Sequence, residues 1–189
     1  MRTIPHLTLV PGGLADFGRV GGVAVALATP DDPVFTRVTR VVEEDTHLVL
    51  SAPAWIPDEP VPPTLRILED VARFEPRSVG TVVDHGARIL AVVHDLALEP
   101  STCPAWIDDA VAAALDVAAR RGLARLAFEP LGTVHARLSV RHVLSALVRA
   151  LDRRAHPSLL EVGVLVPLGL RDAAERTLGG LLADRGHPG

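Results

Sequence analysis

Residues Leu123–Arg154, LARLAFEPLGTVHARLSVRHVLSALVRALDRR, constrain the fold more than any other stretch of the chain. Arg125–Phe128 reads as a strand apolar enough to be buried on both faces. The loop that follows carries one Gly, one Thr and one His (Gly132, Thr133, His135). A helix then starts behind Ser139, a suitable N-cap, with Val140, Val143, Leu144, Leu147 and Leu151 along one face. Strand, short loop and amphipathic helix form the repeating unit of an open α/β sheet. In such sheets ligands sit outside the carboxyl ends of the strands, where amides near a helix start meet anions. A binding site should therefore include the Gly132–Arg137 loop.

The rest of the chain supports a mixed sheet. His6–Val10 is a short strand candidate ended by Pro11-Gly12-Gly13, and Val20–Ala28 is a second apolar run. Thr29–Pro33 reads as a turn. Val34–Val42 roughly alternates and is expected to be a strand with one solvated face. Glu43-Glu44-Asp45 reads as a turn or acidic edge in water, and His47–Leu50 as a further strand. Ser51–Pro63, with five prolines, is a long loop, leading into a helix near Thr64–Phe74. Ser78–Val83 and Arg88–His94 are joined by a short Gly-containing turn, a hairpin signal. At roughly 3.3 Å per residue the hairpin holds Asp84 and His85 about 20 Å from His94 and Asp95. Pro104 starts a helix running to Arg121, with Gly122 as its stop. Leu159–Val166 is the last strand. Arg171–Asp184 is a closing helix, weakened at Gly179-Gly180. The expected architecture is a single α/β domain over residues 1–189, a three-layer α/β/α sandwich around a mixed central sheet.

Composition removes several function classes. The formal net charge is −4 with no long basic run, which argues against nucleic-acid or anionic-membrane partners. Cys103 is the only cysteine, so neither an intramolecular disulfide nor a cysteine-rich zinc module is expected. No apolar run approaches the length of about 18 residues that a membrane helix needs, and no signal-type leader is evident, so a cytoplasmic location is expected. Lys, Asn, Gln and Tyr are absent and all 19 basic residues are Arg, a bias we read as that of a GC-rich bacterial genome. Mechanisms that use a Lys Schiff base, an Asn amide or a Tyr acid are thereby excluded.

Three segments together resemble a macro domain, the fold that binds ADP-ribose and related nucleotides: ARILAVVHDLALEP, STCPAWIDDAVAAALDVAARRGLARLAFEPLGTVHARLS and LLEVGVLVPLGLRDAAERTLGGLLA. The resemblance is best over residues 78–184. Pro130-Leu131-Gly132-Thr133 is similar to the family's phosphate loop, with Val134 where the family has Gly. The 51–63 segment has neither the Asn nor the Gly run of the family's first loop. The resemblance implies binding of a small phosphorylated ligand, ADP-ribose among the candidates, by Gly132, Thr133, Val134, His135, Arg137 and Ser51, with no cofactor.

Two further functions stay open. If the strands before them are parallel, His94, Asp95 and His135 share one sheet edge and could make an acid/base or two-His-one-carboxylate site, although no spacing supports a bound metal. The chain could instead be a ligand-free interaction or scaffold protein, a homodimer included. Cys103, Asp108 and Asp109 read as helix-start residues, and Arg137 and Arg141 as an anion clamp or a solvated helix start.

Overall fold

The computed structural model describes residues 15–50 and 75–185 of the chain. The expectations for the 6–10 strand, the 51–63 loop with Ser51 and the 64–74 helix lie outside the described residues. The strands are β1 (Ala15–Val20), β2 (Val23–Ala28), β3 (Arg40–Asp45), β4 (Val82–His85), β5 (Arg88–His94), β6 (Arg125–Phe128) and β7 (Glu161–Leu165). The helices are α1 (Pro104–Arg120), α2 (Val140–Arg153) and α3 (Arg171–Asp184), with a short 3-10 turn at Leu168–Leu170.

These strands form one seven-stranded mixed sheet in the order β1-β2-β7-β6-β3-β5-β4. The inner strands β2, β7, β6, β3 and β5 run parallel, and β1 and β4 close the edges antiparallel. Parallel pairing aligns Leu27 with Val164, Val162 with Leu126, Phe128 with Val41, and Val41 with Ile89. All of these are buried, as strands covered on both faces require.

One face of the sheet meets all three described helices. Val25, Val164, Leu126, Val41 and Ile89 belong to the same packed cluster as Ile107 and Leu115 of α1, Leu144 and Leu147 of α2, and Ala174 and Leu178 of α3. Each fully buried Leu or Ile side chain stabilises the fold by about 1.5–3 kcal/mol. Helix α1 ends in a Schellman motif: Leu123 N–H donates to Ala118 O at 2.9 Å and Gly122 N–H to Ala119 O at 3.1 Å. That stop turns the chain straight into β6. Ser139 caps α2, its hydroxyl accepting from Arg141 N–H at 3.2 Å.

The opposite face is sealed differently near its middle. Phe35, fully buried, packs with Ala28, Ala127 and Leu165. Its ring lies over Gly163 of β7, where a Cβ would overlap it. This accounts for one correction: Phe35 sits in a series of turns over residues 30–37, so Val34–Val42 is not a single strand, and β3 starts only at Arg40. Other corrections have local causes. Gly21-Gly22, with φ of 57° and 86°, is a two-residue hairpin turn that splits Val20–Ala28. Residues 46–50 are a turn rather than a strand. Helix α3 continues through Gly179-Gly180.

Gly163→Ala is expected to destabilise the protein by about 1–3 kcal/mol through overpacking against Phe35, lowering Tm by roughly 2–4 °C for each kcal/mol. Thermal unfolding followed by circular dichroism checks this. An unchanged Tm would mean that the ring yields freely.

Candidate functional site

The site comes from a mismatch in strand length. Strand β6 ends at Phe128, paired with Val41, and Glu129 N–H donates to Val41 O at 2.9 Å. Strand β3 runs on past that point to Asp45, so its last residues lose a neighbour on the β6 side. The loop from Pro130 onward folds across this overhang. Thr133 N–H donates to Pro130 O at 3.1 Å and Leu138 N–H to Gly132 O at 2.9 Å, which closes the loop on itself. Gly132 has φ 75°, and a Cβ there would lie 2.9 Å from Ile107 Cδ1 and 3.1 Å from Leu138 Cδ1. Both backbone and space therefore call for glycine.

The overhang carries the acidic run expected in water, and here the structure corrects the sequence reading. Glu43, Glu44 and Asp45 are all buried. Each carboxylate accepts a loop amide. Gly132 N–H donates to Glu43 Oε2 at 2.5 Å, Leu50 N–H to Glu44 Oε2 at 3.0 Å, and His47 N–H to Asp45 Oδ1 at 2.5 Å. Charge-assisted bonds of this kind offset part of the cost of burying a carboxylate.

Two imidazoles flank Glu43. His94, at the end of β5 and fully buried, places Nε2 3.5 Å from Glu43 Oε2. His135, in the loop and 43% exposed, places Nε2 3.5 Å from Glu43 Oε1. The rings stand edge to face with centroids 5.8 Å apart. Among the described residues Glu43 Oε1, Asp45 Oδ2 and His94 Nδ1 are buried without a hydrogen-bond partner. Among the described residues no group of three ligating side chains could hold a metal ion.

The expected site residues scatter around this centre. His94 and His135 come together, as parallel β5 and β6 dictate. Asp95 turns aside and accepts Ala97 N–H at 3.0 Å. Thr133 donates its hydroxyl back to Pro130 O at 2.6 Å. Val134 is 68% exposed. Arg137 is exposed, with a left-handed φ of 55° that a side chain rarely adopts. Arg141 points elsewhere and lines a separate cleft with Arg176 and Asp184. Asp108 pairs with Arg149 at 2.5 Å on the seam between α1 and α2. Asp84 is bound by Arg121 at the hairpin turn, away from His94.

Glu43 and His135 open onto a cleft of 330 Å³ whose walls also include Arg40, Val42, Leu50, Arg88, Glu129 and Val134. Its two guanidiniums face two carboxylates. Burial holds the Glu129 carboxyl above its ordinary 4.5; Arg40 and Arg88 oppose that rise and the Glu43 charge adds to it. The loops after β5, β6 and β7 at this edge each expose apolar side chains: Leu96 and Leu98, Val134, and Leu168. Sequence reasoning missed Glu43, Glu129, Arg40 and Arg88. The available signal was position, since acids at the carboxyl end of a buried parallel strand stand where open α/β sheets bind ligands.

No family model matches this sequence, and no curated protein matches it. Solved structures do. The chain superposes on the Oceanobacillus iheyensis macrodomain with ADP at a TM-score of 0.63 and 12% identity, covering 88% of this chain and 96% of that one. The fold is that of a macrodomain. The macro domain of ganglioside induced differentiation associated protein 2 matches at a TM-score of 0.57 and 15% identity, over 85% and 83% of the two chains. The Trypanosoma brucei macrodomain in complex with ADP-ribose matches at 0.55 and 15% identity, over 82% and 69%. Within this macrodomain fold, no helix of the described residues is long and apolar enough to cross a membrane.

Two substitutions probe the site's construction. Gly132→Ala is expected to cost at least about 1–2 kcal/mol from the left-handed backbone alone, read as a lower denaturation midpoint. Glu129 has a folded pKa above its unfolded value, so its contribution to stability falls as pH rises from 4.5 through the folded value. Glu129→Gln should therefore raise Tm at neutral pH and lose that advantage in acid near pH 4.5. An equal gain at both pH values would show that charge is not the cause.

Proposed function

We propose that this protein binds a small phosphorylated, nucleotide-like ligand at the carboxyl edge of its sheet, with ADP-ribose the first candidate. The observation that carries the reading is the Gly132 amide. It points across the overhang of β3 beside the cleft, and its partner is already an anionic oxygen, that of Glu43. A loop amide that holds a carboxylate there has the direction and polarity to hold a phosphate oxygen. Arg40 and Arg88 supply fixed positive charge in the same cleft, and the exposed Val134 and Leu96 offer apolar surface for a base or ribose. Gly132, Thr133, Val134, His135 and Arg137 are the proposed contacts, with Ser51 from the segment outside the described residues. The solved macrodomains with ADP and with ADP-ribose support the choice of ligand class.

A second reading is hydrolysis of the bound ligand, favoured by one contact. His135 Nε2 faces Glu43 Oε1 at 3.5 Å, which leaves the other ring nitrogen for a water or ligand, with a buried carboxylate to orient the ring. Glu43 thus takes the place in the dyad that Asp95 was expected to fill.

Calorimetric titration with ADP-ribose tests the binding reading, with Gly132→Glu as the control. Micromolar binding lost in the control supports it. No heat from either protein at millimolar ligand would overturn it and turn attention to protein partners. If the ligand binds and is consumed, His135→Ala should abolish turnover while only weakening binding.

A further inference from the structure

The Gly132 amide has one hydrogen to donate, and Glu43 Oε2 receives it at 2.5 Å. A ligand phosphate that uses this amide must take it from a buried carboxylate. We propose that Glu43 is a built-in competitor for the ligand's anion, and that binding displaces it with uptake of a proton by the Glu43–His94–His135 cluster. This rests on the ligand reading above and adds to it a mode of control.

The charges around Glu43 make uncoupled binding unfavourable. His94 from β5 and His135 from the loop each face one of its oxygens at 3.5 Å. Glu129, just after β6, is close enough for the Glu43 charge to raise its pKa. Glu44 and Asp45 follow on the same strand and are spent on the Leu50 and His47 amides. Arg40 and Arg88 from the starts of β3 and β5 are the cations of the cleft. A pyrophosphate entering beside Glu43 and Glu129 adds anionic charge to a buried site where Coulomb interactions are strong. Protonating Glu43 removes one negative charge and frees the amide. Protonating an imidazole supplies a counter-charge, and among the described residues His94 Nδ1 is buried without a hydrogen-bond partner. Either route takes one proton from solvent, so lower pH favours the bound state.

The geometry also suits movement of the carboxylate. Among the described residues Glu43 Oε1 has no hydrogen-bond partner, only the 3.5 Å ion-pair approach of His135, so the hydrogen bonds that hold the side chain run through Oε2. His135 is 43% exposed on the cleft side and gives the displaced carboxylate a partner nearer solvent.

The test is calorimetry with ADP-ribose at about pH 6 and about pH 8, bracketing imidazole titration, in buffers of different ionisation enthalpy. The ligand's pyrophosphate is fully ionised throughout, so any pH dependence belongs to the protein. Wild type should take up protons on binding and weaken by about tenfold at the higher pH, about 1.4 kcal/mol. Glu43→Gln, which keeps the shape and removes the charge, should bind more tightly than wild type at the higher pH and lose most of the slope. Wild-type binding without proton uptake overturns the proposal, whether or not the variant folds. So does a slope that persists undiminished in Glu43→Gln, because the proton uptake would then not depend on displacing the Glu43 charge. Absence of binding to either protein at either pH overturns the ligand reading itself, and the competition with it.

Discussion

The hydrogen bond from Gly132 to Glu43 joins residues 89 positions apart in the chain. The edge of the sheet takes its form from it. The bond is buried and charge-assisted, the kind in which loss of one partner strands the other at a cost of several kcal/mol. It fixes the loop after β6 against the overhang of β3. That in turn sets His135 beside His94 and shapes one wall of the cleft. Without a carboxylate at position 43, the glycine amide would face the end of a strand that has lost its neighbour on the β6 side.

The overhang follows from strand lengths. Five parallel strands could have ended level, but β6 stops at Phe128 because Pro130 follows almost at once and can donate nothing to a ladder. Strand β3 continues because its polar side chains find amides to bind. Around this edge the positive charge is entirely guanidinium, for the chain has no lysine. Arginine stays protonated at any ordinary pH, so the side chains that respond to pH at this edge are carboxylates and histidines.

Much of the fold is legible in the sequence because its signals are local. Pro104, Gly122 and Ser139 mark helix ends through φ preference and capping, and the apolar stripe of α2 fixes which side packs inward. The Arg88–His94 strand and its hairpin turn are likewise short-range features. The centre of the site is another matter. An acidic triplet reads as solvated because burying charge is unfavourable, and the compensation lies in amides far along the chain. Nothing near Glu43 in sequence announces Gly132. The same holds for Phe35: in the alternating run 34–42 it looks like one side chain of a strand, and only its distant partner in β7 explains why the chain turns there instead.

That partnership has a consequence for how the sequence is free to vary. Phe35 fills the space that Gly163 leaves empty, so the two positions act as one object divided between a surface turn and the middle of the sheet. A larger residue at 163 is tolerable only with a smaller one at 35, and a smaller one at 35 opens a void over β7 unless 163 grows. The turn over residues 30–37 thus inherits the constraints of a core strand, and substitutions at these two sites should be inherited as pairs.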